Sequence, residues 1–199
     1  MNPVSPKVSR KTSRGATLVE LLIGAALALL VLGACTGALA AAGRLLAALG
    51  ARAEVEDTAE LAMEAFRFDV RRAGFDPAGV GIEALPAAAA DGVTLAADLD
   101  GDGVLDASSE EITQWVCATS PSRLSRLIGA QSLPVAAPVE RCELHYLDGA
   151  GVDLPVGAGG LSAADRARVR RIVLELAVEP AQGGAAAVRH AEVALRTAP

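Results

Sequence analysis

A long uncharged apolar run near the N-terminus most constrains how this chain can fold. From Leu21 to Gly43 no residue carries a charge. As a helix rising about 1.5 Å per residue, this run would extend ~35 Å, enough to cross the ~30 Å hydrocarbon core of a bilayer. The run therefore predicts a membrane-spanning helix, and the 199-residue chain has room for one modest domain besides it.

The charges around this run predict its orientation. Four basic residues precede it with no acidic residue among them: Lys7, Arg10, Lys11 and Arg14. Basic flanks stay cytoplasmic, so we expect residues 1–15 in the cytoplasm and the C-terminal domain outside it. Apart from these four, 14 basic residues remain against 24 acidic ones. This excess of acidic residues in the rest of the chain argues against a nucleic-acid partner.

A single acid, Glu20, lies at the head of the apolar run. A carboxylate within a bilayer costs several kcal/mol unless it is paired, and ordinary signal peptides have a shorter apolar core of ~7–15 residues. A different signal lies inside the run, because LGAC at residues 32–35 looks like a lipobox that would make Cys35 a lipidated N-terminus. The residues after Cys35 stay apolar, where a lipoprotein usually has a polar tether. A lipoprotein anchored at Cys35 remains an alternative.

The stretch RGATLVEL, residues 14–21, resembles the cleavage and methylation motif of type IV prepilins. The resemblance implies that a prepilin peptidase cuts after Gly15 and N-methylates Ala16, where the family usually has Phe. Glu20 then occupies the fifth mature position. Its carboxylate would pair with N-terminal amines in a low-dielectric setting, which would favour docking of a subunit in register onto a growing filament.

The end of the predicted helix, DVRRAGF at residues 69–75, is similar to the helix end of PilW-type minor pilins and of J-type pseudopilins of type II secretion. The resemblance implies a subunit without enzymatic activity that takes part in initiating or capping a type IV pilus or related filament. The implied partners are other pilins or pseudopilins, the prepilin peptidase, the inner-membrane assembly platform and membrane lipid. The implied location is the bacterial inner membrane, as a single-pass protein, and then the pilus or pseudopilus. A J-type pseudopilin is the nearest alternative.

Helical periodicity continues beyond the apolar run. Apolar residues recur at spacings of three and four: Val55, Ala59, Ala62, Phe66, Val70 and Ala73. Charged residues, Asp69 among them, fill the remaining positions, which is the pattern of a helical stripe. Gly74 and Pro77 are stop signals. We therefore expect one long helix over residues 16–74, with 16–43 in the membrane or filament core.

The rest of the chain, residues 75–199, reads as a β-rich globular head. Period-two alternation predicts strands at residues 112–118, 140–147, 171–179 and 188–195, and a short apolar stretch covers 92–97. Strands gathered after one helix indicate an α+β domain. The expected fold is pilin-like: a long N-terminal helix, transmembrane in its first half, packed on an antiparallel sheet.

An acidic, glycine-containing loop is the clearest chemical motif of the head. Its carboxylates and one carbonyl fall at the offsets of the first part of an EF-hand loop: Asp98, Asp100, Asp102, Val104 and Asp106. Offset twelve is Ser109 rather than Glu, and Glu110 and Glu111 follow one and two residues late. The alternative is an acidic hairpin turn. Because four like charges repel without a cation, the pattern favours a structural Ca²⁺ site.

Two cysteines, Cys117 and Cys142, lie in predicted strands of the domain expected outside the cytoplasm. An oxidising compartment favours a disulfide between them if the strands are neighbours, and two free thiols are the alternative. The only histidines, His145 and His190, each lie in a strand pattern and are expected to be surface or packing residues. The sequence contains no Gly-x-Ser-x-Gly, phosphate-binding loop or zinc-type Cys/His spacing, so we expect no enzyme.

Overall fold

Helix α1 spans Leu18–Arg72 in the computed structural model, which describes residues 17–180 and 186–196 of the chain. It begins at Thr17, whose Oγ1 accepts a hydrogen bond of 3.3 Å from the Glu20 backbone N–H, as an N-cap does. It ends before Gly74, whose φ of 76° suits glycine and whose N–H donates to the Ala96 carbonyl at 2.8 Å. The long N-terminal helix expected from the sequence is confirmed.

The chain divides into two compact units, residues 1–48 and 49–199. In the described part of the first unit, α1 exposes its side chains along its whole length. Mean hydropathy reaches 2.5 in the most apolar window of α1, and the helix is long and apolar enough to cross a membrane. The uncharged apolar run of the sequence thus forms a continuous helix whose side chains are not buried against other parts of the described chain.

The second unit adds eight strands and one short helix to the C-terminal part of α1, within the described residues. These elements are β1 (Ala87–Ala89), β2 (Gly92–Ala96), β3 (Ile112–Thr119), β4 (Ser122–Ile128), β5 (Gln131–Ala136), β6 (Val139–Leu147), α2 (Ala163–Arg166), β7 (Arg171–Val178) and β8 (Ala187–Ala194). Strands β1 to β5 form a five-stranded sheet in sequential order, and β6, β7 and β8 form a three-stranded sheet. Every pairing is antiparallel.

The core of this unit lies between the helix stripe and the two sheets. All six predicted stripe residues are buried: Val55, Ala59, Ala62, Phe66, Val70 and Ala73. Phe66 packs edge-to-face on Trp115 of β3, with ring centroids 5.4 Å apart. On β7, Ile172, Leu174, Leu176 and Val178 are buried on one face, as the alternation predicted. The α+β architecture, with a long helix packed on antiparallel strands, is therefore confirmed.

The structure departs from the predicted sheet in two respects. The strands form two sheets rather than one, and β1, β4 and β5 were not anticipated. In β4, Ser125 is buried beside buried Leu124 at a register shift, which disrupts a period-two pattern. In β5, Pro134 reads as a strand breaker, but β5 is an edge strand, where proline is tolerated.

Candidate functional site

The N-terminal part of α1 presents a large apolar surface to its surroundings. Its big hydrophobic side chains are more than half exposed, among them Leu18 (76%), Leu29 (69%) and Leu39 (72%). They point in all directions around the helix, as in a helix that lies in lipid or among other helices. Exposed apolar surface of this extent is rare on soluble monomers and marks a membrane or protein-interaction surface.

Glu20 is the one acid in the first turn of this apolar helix. Thr17 and Glu20 have the Thr-x-x-Glu spacing of a capping box, in which Thr caps the helix and Glu or Gln occupies the third helical position. The Thr17 contact with the Glu20 N–H fits that motif. The structure thus gives Glu20 a local role that was not considered from the sequence. Gly15 and Ala16, the predicted processing residues, lie outside the described residues.

The Asp-rich loop after β2 folds its carboxylates around its own backbone amides. Asp98 is fully buried and accepts hydrogen bonds from the N–H groups of Gly101 (2.8 Å) and Gly103 (3.0 Å). Both glycines have positive φ, 81° and 77°, a conformation that side chains with a Cβ rarely adopt. The two glycines therefore permit the sharp bends by which the loop turns its N–H groups toward Asp98.

Glu111 completes the same loop from its far end. Its Oε1 accepts from the Leu99 N–H at 3.0 Å, and its Oε2 accepts from the Asp106 N–H at 2.8 Å. These backbone donors lower the pKa of Glu111, because they stabilise the charged form of the carboxylate. The Asp106 N–H has the largest effect. One ligand oxygen each of Asp98, Asp100 and Glu111 lies within 4.8 Å of the others. A hard cation such as Ca²⁺ favours an oxygen-only group of this kind.

The other predicted ligands serve the loop backbone. Asp102 Oδ1 accepts from the Val104 N–H at 2.7 Å, and Asp106 Oδ1 accepts from the Ser108 N–H at 2.8 Å. Val104 has an exposed side chain. Among the described residues, the carboxylate cluster therefore consists of Asp98, Asp100 and Glu111, and Glu111 replaces the missing acid at offset twelve. Ca²⁺ binding itself stays a prediction.

Cys117 and Cys142 form a disulfide in the structure, with Cα atoms 5.7 Å apart. The two strands that carry them are not paired neighbours. Cys117 lies on β3 of the five-stranded sheet, opposite Leu124, and Cys142 lies on β6 of the three-stranded sheet, opposite Leu176. The bond therefore joins the two sheets across the core. The remaining cysteine, Cys35, is a free, exposed residue within α1.

Asp69 is a buried acidic residue whose environment the sequence did not reveal. It is one of the charged residues outside the apolar stripe of α1, but its side chain is only 1% exposed. Its carboxylate accepts hydrogen bonds from Arg126 Nε (2.6 Å), Arg126 Nη2 (2.9 Å) and Trp115 Nε1 (3.0 Å). Arg72 adds a contact of 3.2 Å. These donors all stabilise the buried carboxylate of Asp69. We therefore interpret the cluster as a structural anchor that holds the helix on the sheet.

Besides the disulfide, Tyr146 makes a polar link between the two sheets. Its buried hydroxyl donates to the carbonyl oxygens of Ala89 (2.8 Å) and Gly92 (3.1 Å), which lie on β1 and β2. Burial raises the pKa of Tyr146 above its ordinary value, so the phenol stays neutral. Together with the disulfide, this hydrogen-bond pair fixes the three-stranded sheet to the five-stranded one.

Comparisons of the chain with family models, with curated proteins and with solved structures found no match.

Proposed function

We propose that this chain is a minor pilin or pseudopilin, a single-pass inner-membrane precursor that is cleaved after Gly15 and joins a type IV pilus or a related filament. In this proposal the chain acts by assembly and binding and catalyses no reaction. The observation that carries the proposal is the exposed apolar helix, which bears one carboxylate, Glu20, in its first turn. A single helix of 55 residues that continues into a β-rich head is the arrangement such a subunit needs.

The electrostatics of Glu20 support the assembly role. Cleavage after Gly15 would create a cationic amine at Ala16, about one helical turn before Glu20. In an apolar medium an unpaired carboxylate costs several kcal/mol, and pairing with an amine offsets much of this cost. An incoming subunit would therefore be held where an N-terminal amine and a Glu20 carboxylate meet. The surrounding leucines would supply packing but no such directional preference.

Ca²⁺ at the Asp98 loop belongs to the proposal as a structural element of the head. Asp98, which is fully buried, Asp100 and Glu111 offer oxygen ligands only. An ion there would stabilise the loop between β2 and β3 rather than perform chemistry.

The assembly role is tested with Glu20→Gln in a host that carries the filament system, by measuring how much of the chain enters sheared filaments. Gln keeps the capping-box pattern, so the change removes the charge without removing the helix cap. We expect incorporation to fall about tenfold or more, because ~1.4 kcal/mol of lost pairing corresponds to a factor of ten.

Glu54→Gln is the matched control for this experiment. Glu54 is an exposed acid of the same helix, beyond the apolar run. It should leave incorporation unchanged. Equal incorporation of the wild type and the Glu20→Gln variant, at equal levels in the membrane, would contradict the proposal.

A further inference from the structure

The two histidines of the chain, which lie 45 residues apart in sequence, lie on one face of the three-stranded sheet, on its two outer strands. The register places Glu143 of β6 opposite Glu175 of β7, and Glu175 opposite His190 of β8. His145 lies two residues after Glu143 and therefore shares its face. This is the outer face of the sheet, because Leu174 and Leu176 on β7 point into the core on the other side.

Three of these four side chains come within reach of one ion. One ligand atom each of Glu143, His145 and Glu175 lies within 4.8 Å of the others. His145 Nε2 is 3.8 Å from Glu143 Oε2, and His190 Nδ1 is 3.7 Å from Glu175 Oε1. Ligands about 2.1 Å from a tetrahedral ion lie roughly 3.4 Å apart, so small side-chain rotations would close the group.

A second contact, outside this group, orients one histidine for metal binding. His145 Nδ1 lies 3.0 Å from Asp153 Oδ2, so that the Nδ1–H can donate to the carboxylate. This leaves Nε2, on the side of Glu143, as the free lone pair. A carboxylate that holds the distal nitrogen of a ligating imidazole is the usual outer partner of a zinc-bound histidine.

The charges on this face are unbalanced without a cation. Glu143 and Glu175 are directly opposite each other, and like charges in that position are destabilising. Arg141 approaches Glu143 only to 3.9 Å, with both side chains more than half exposed. Arg171, the other basic residue of this face, pairs instead with Glu192. The pair of facing glutamates is therefore available to a metal ion.

We propose that Glu143, His145 and Glu175 form a site for a divalent transition metal, with Zn²⁺ as the best-suited ion, and that Asp153 orients His145. Imidazole and carboxylate together favour Zn²⁺ over Ca²⁺ and Mg²⁺, which prefer oxygen ligands alone. The site lies on the exposed face of the sheet, and a position on the ion stays accessible to solvent or to a ligand from another subunit. It is separate from the Asp98 loop.

The proposal is tested by titrating the purified full chain in detergent with Zn²⁺ against a chromophoric chelator, with Ca²⁺ in excess to occupy oxygen-only sites. The wild type should bind one Zn²⁺ per chain. His145→Ala and Glu175→Gln should each weaken binding at least tenfold, and Asp153→Asn should weaken it ten- to a hundredfold. Far-UV circular dichroism and the fluorescence of Trp115 would verify that each variant is folded.

Glu192→Gln is the matched control, since Glu192 lies on β8 two residues from His190 and pairs with Arg171 rather than with the cluster. It should bind Zn²⁺ within twofold of the wild type. Absence of saturable Zn²⁺ binding by the folded wild type would overturn the proposal. Wild-type affinity in His145→Ala and Glu175→Gln would overturn it equally, because the ion would then lie elsewhere.

Nitrogen NMR of histidine-labelled protein gives an independent readout, since the chain contains only two histidines. Zn²⁺ should shift the signals of His145 and leave its Nδ1 protonated. An unchanged His145 spectrum at saturating Zn²⁺ would overturn the site.

Discussion

Asp69 of α1 and Arg126 of β4 form a two-point ion pair in the core, with Nε–Oδ2 and Nη2–Oδ1 distances of 2.6 and 2.9 Å. The Asp69 contact raises the pKa of Arg126, although burial of the guanidinium opposes that effect. Trp115 of β3 donates to the same carboxylate. One acid of the helix thus binds two adjacent strands of the five-stranded sheet.

Replacement of Asp69 should strongly destabilise the head. Asp69→Asn keeps the side-chain size but leaves the Arg126 cation, only 17% exposed, without its counter-charge. Breaking such a pair from one side costs about 3 kcal/mol or more. Denaturant titration of the full chain in detergent, followed by the fluorescence of the single Trp115, would measure this loss. Asp57→Asn, an exposed change on the same helix, should have little effect, and equal midpoints for both variants would refute the anchor role.

Removal of the Cys117–Cys142 disulfide should also destabilise the head. The bond closes a loop with a sequence separation of 25 and joins the two sheets. Chain-entropy arguments give about 3 kcal/mol for a loop of this size. The double variant Cys117→Ala/Cys142→Ala should therefore unfold at lower denaturant, and reductant should no longer change its midpoint. Cys35→Ala should behave as the wild type in both respects; a reductant-insensitive wild type would show that the bond does not contribute.

Acid should weaken the turn after α1 through Asp76. Its Oδ2 accepts from the Gly81 N–H at 2.7 Å, and this bond is the largest cause that lowers the pKa of Asp76 from 3.8. Because the folded state holds the carboxylate more strongly than the unfolded chain, its contribution is full above pH 3.8. It is lost as the pH falls through the lowered folded-state pKa.

The Asp76 contribution can be isolated by comparing pH profiles. Asp76→Asn should lower the unfolding midpoint at pH 7 and should differ less from the wild type as the pH falls below about 3.8. Thermal unfolding between pH 2 and pH 7 would record both curves. A constant difference over this range would contradict a role for the charge.

Addition of Ca²⁺ should stabilise the head if the Asp98 loop holds the ion. Binding to the folded state alone raises its stability by about 2.7 kcal/mol at a hundredfold excess over Kd. Glu111→Gln should remove most of the Ca²⁺-dependent shift in melting temperature, because Glu111 lies in the carboxylate cluster. Glu110→Gln, its neighbour outside that cluster, should retain the shift. A wild-type melting temperature that is the same in Ca²⁺ and in chelator would refute the site.

The sequence was sufficient where the signal is local. The helix stripe, the alternation of β7 and the glycines of the Asp loop all depend on residues a few positions apart, and the structure has them as expected. The burial of Asp69 depends on partners 46 and 57 residues away, so no local pattern predicts it. The grouping of His145 with Glu175 depends in the same way on the register of two strands that are distant in sequence.

The division of the strands into two sheets could not be predicted from the sequence for a similar reason. The disulfide between Cys117 and Cys142 was expected on the condition that their strands are neighbours, but the bond joins strands of different sheets. Alternation along a strand shows which residues share a face; it does not show which sheet that strand joins. Tyr146 illustrates this, because its position on β6 does not show that its hydroxyl contacts carbonyls of the other sheet.

The mass of the mature N-terminus tests the central claim most directly. The full chain would be expressed in a host with a prepilin peptidase, purified from the membrane and analysed by mass spectrometry. The account predicts a polypeptide that begins at Ala16, with or without one added methyl group. A chain that still begins upstream of Gly15, or one that begins at a lipidated Cys35, would contradict it.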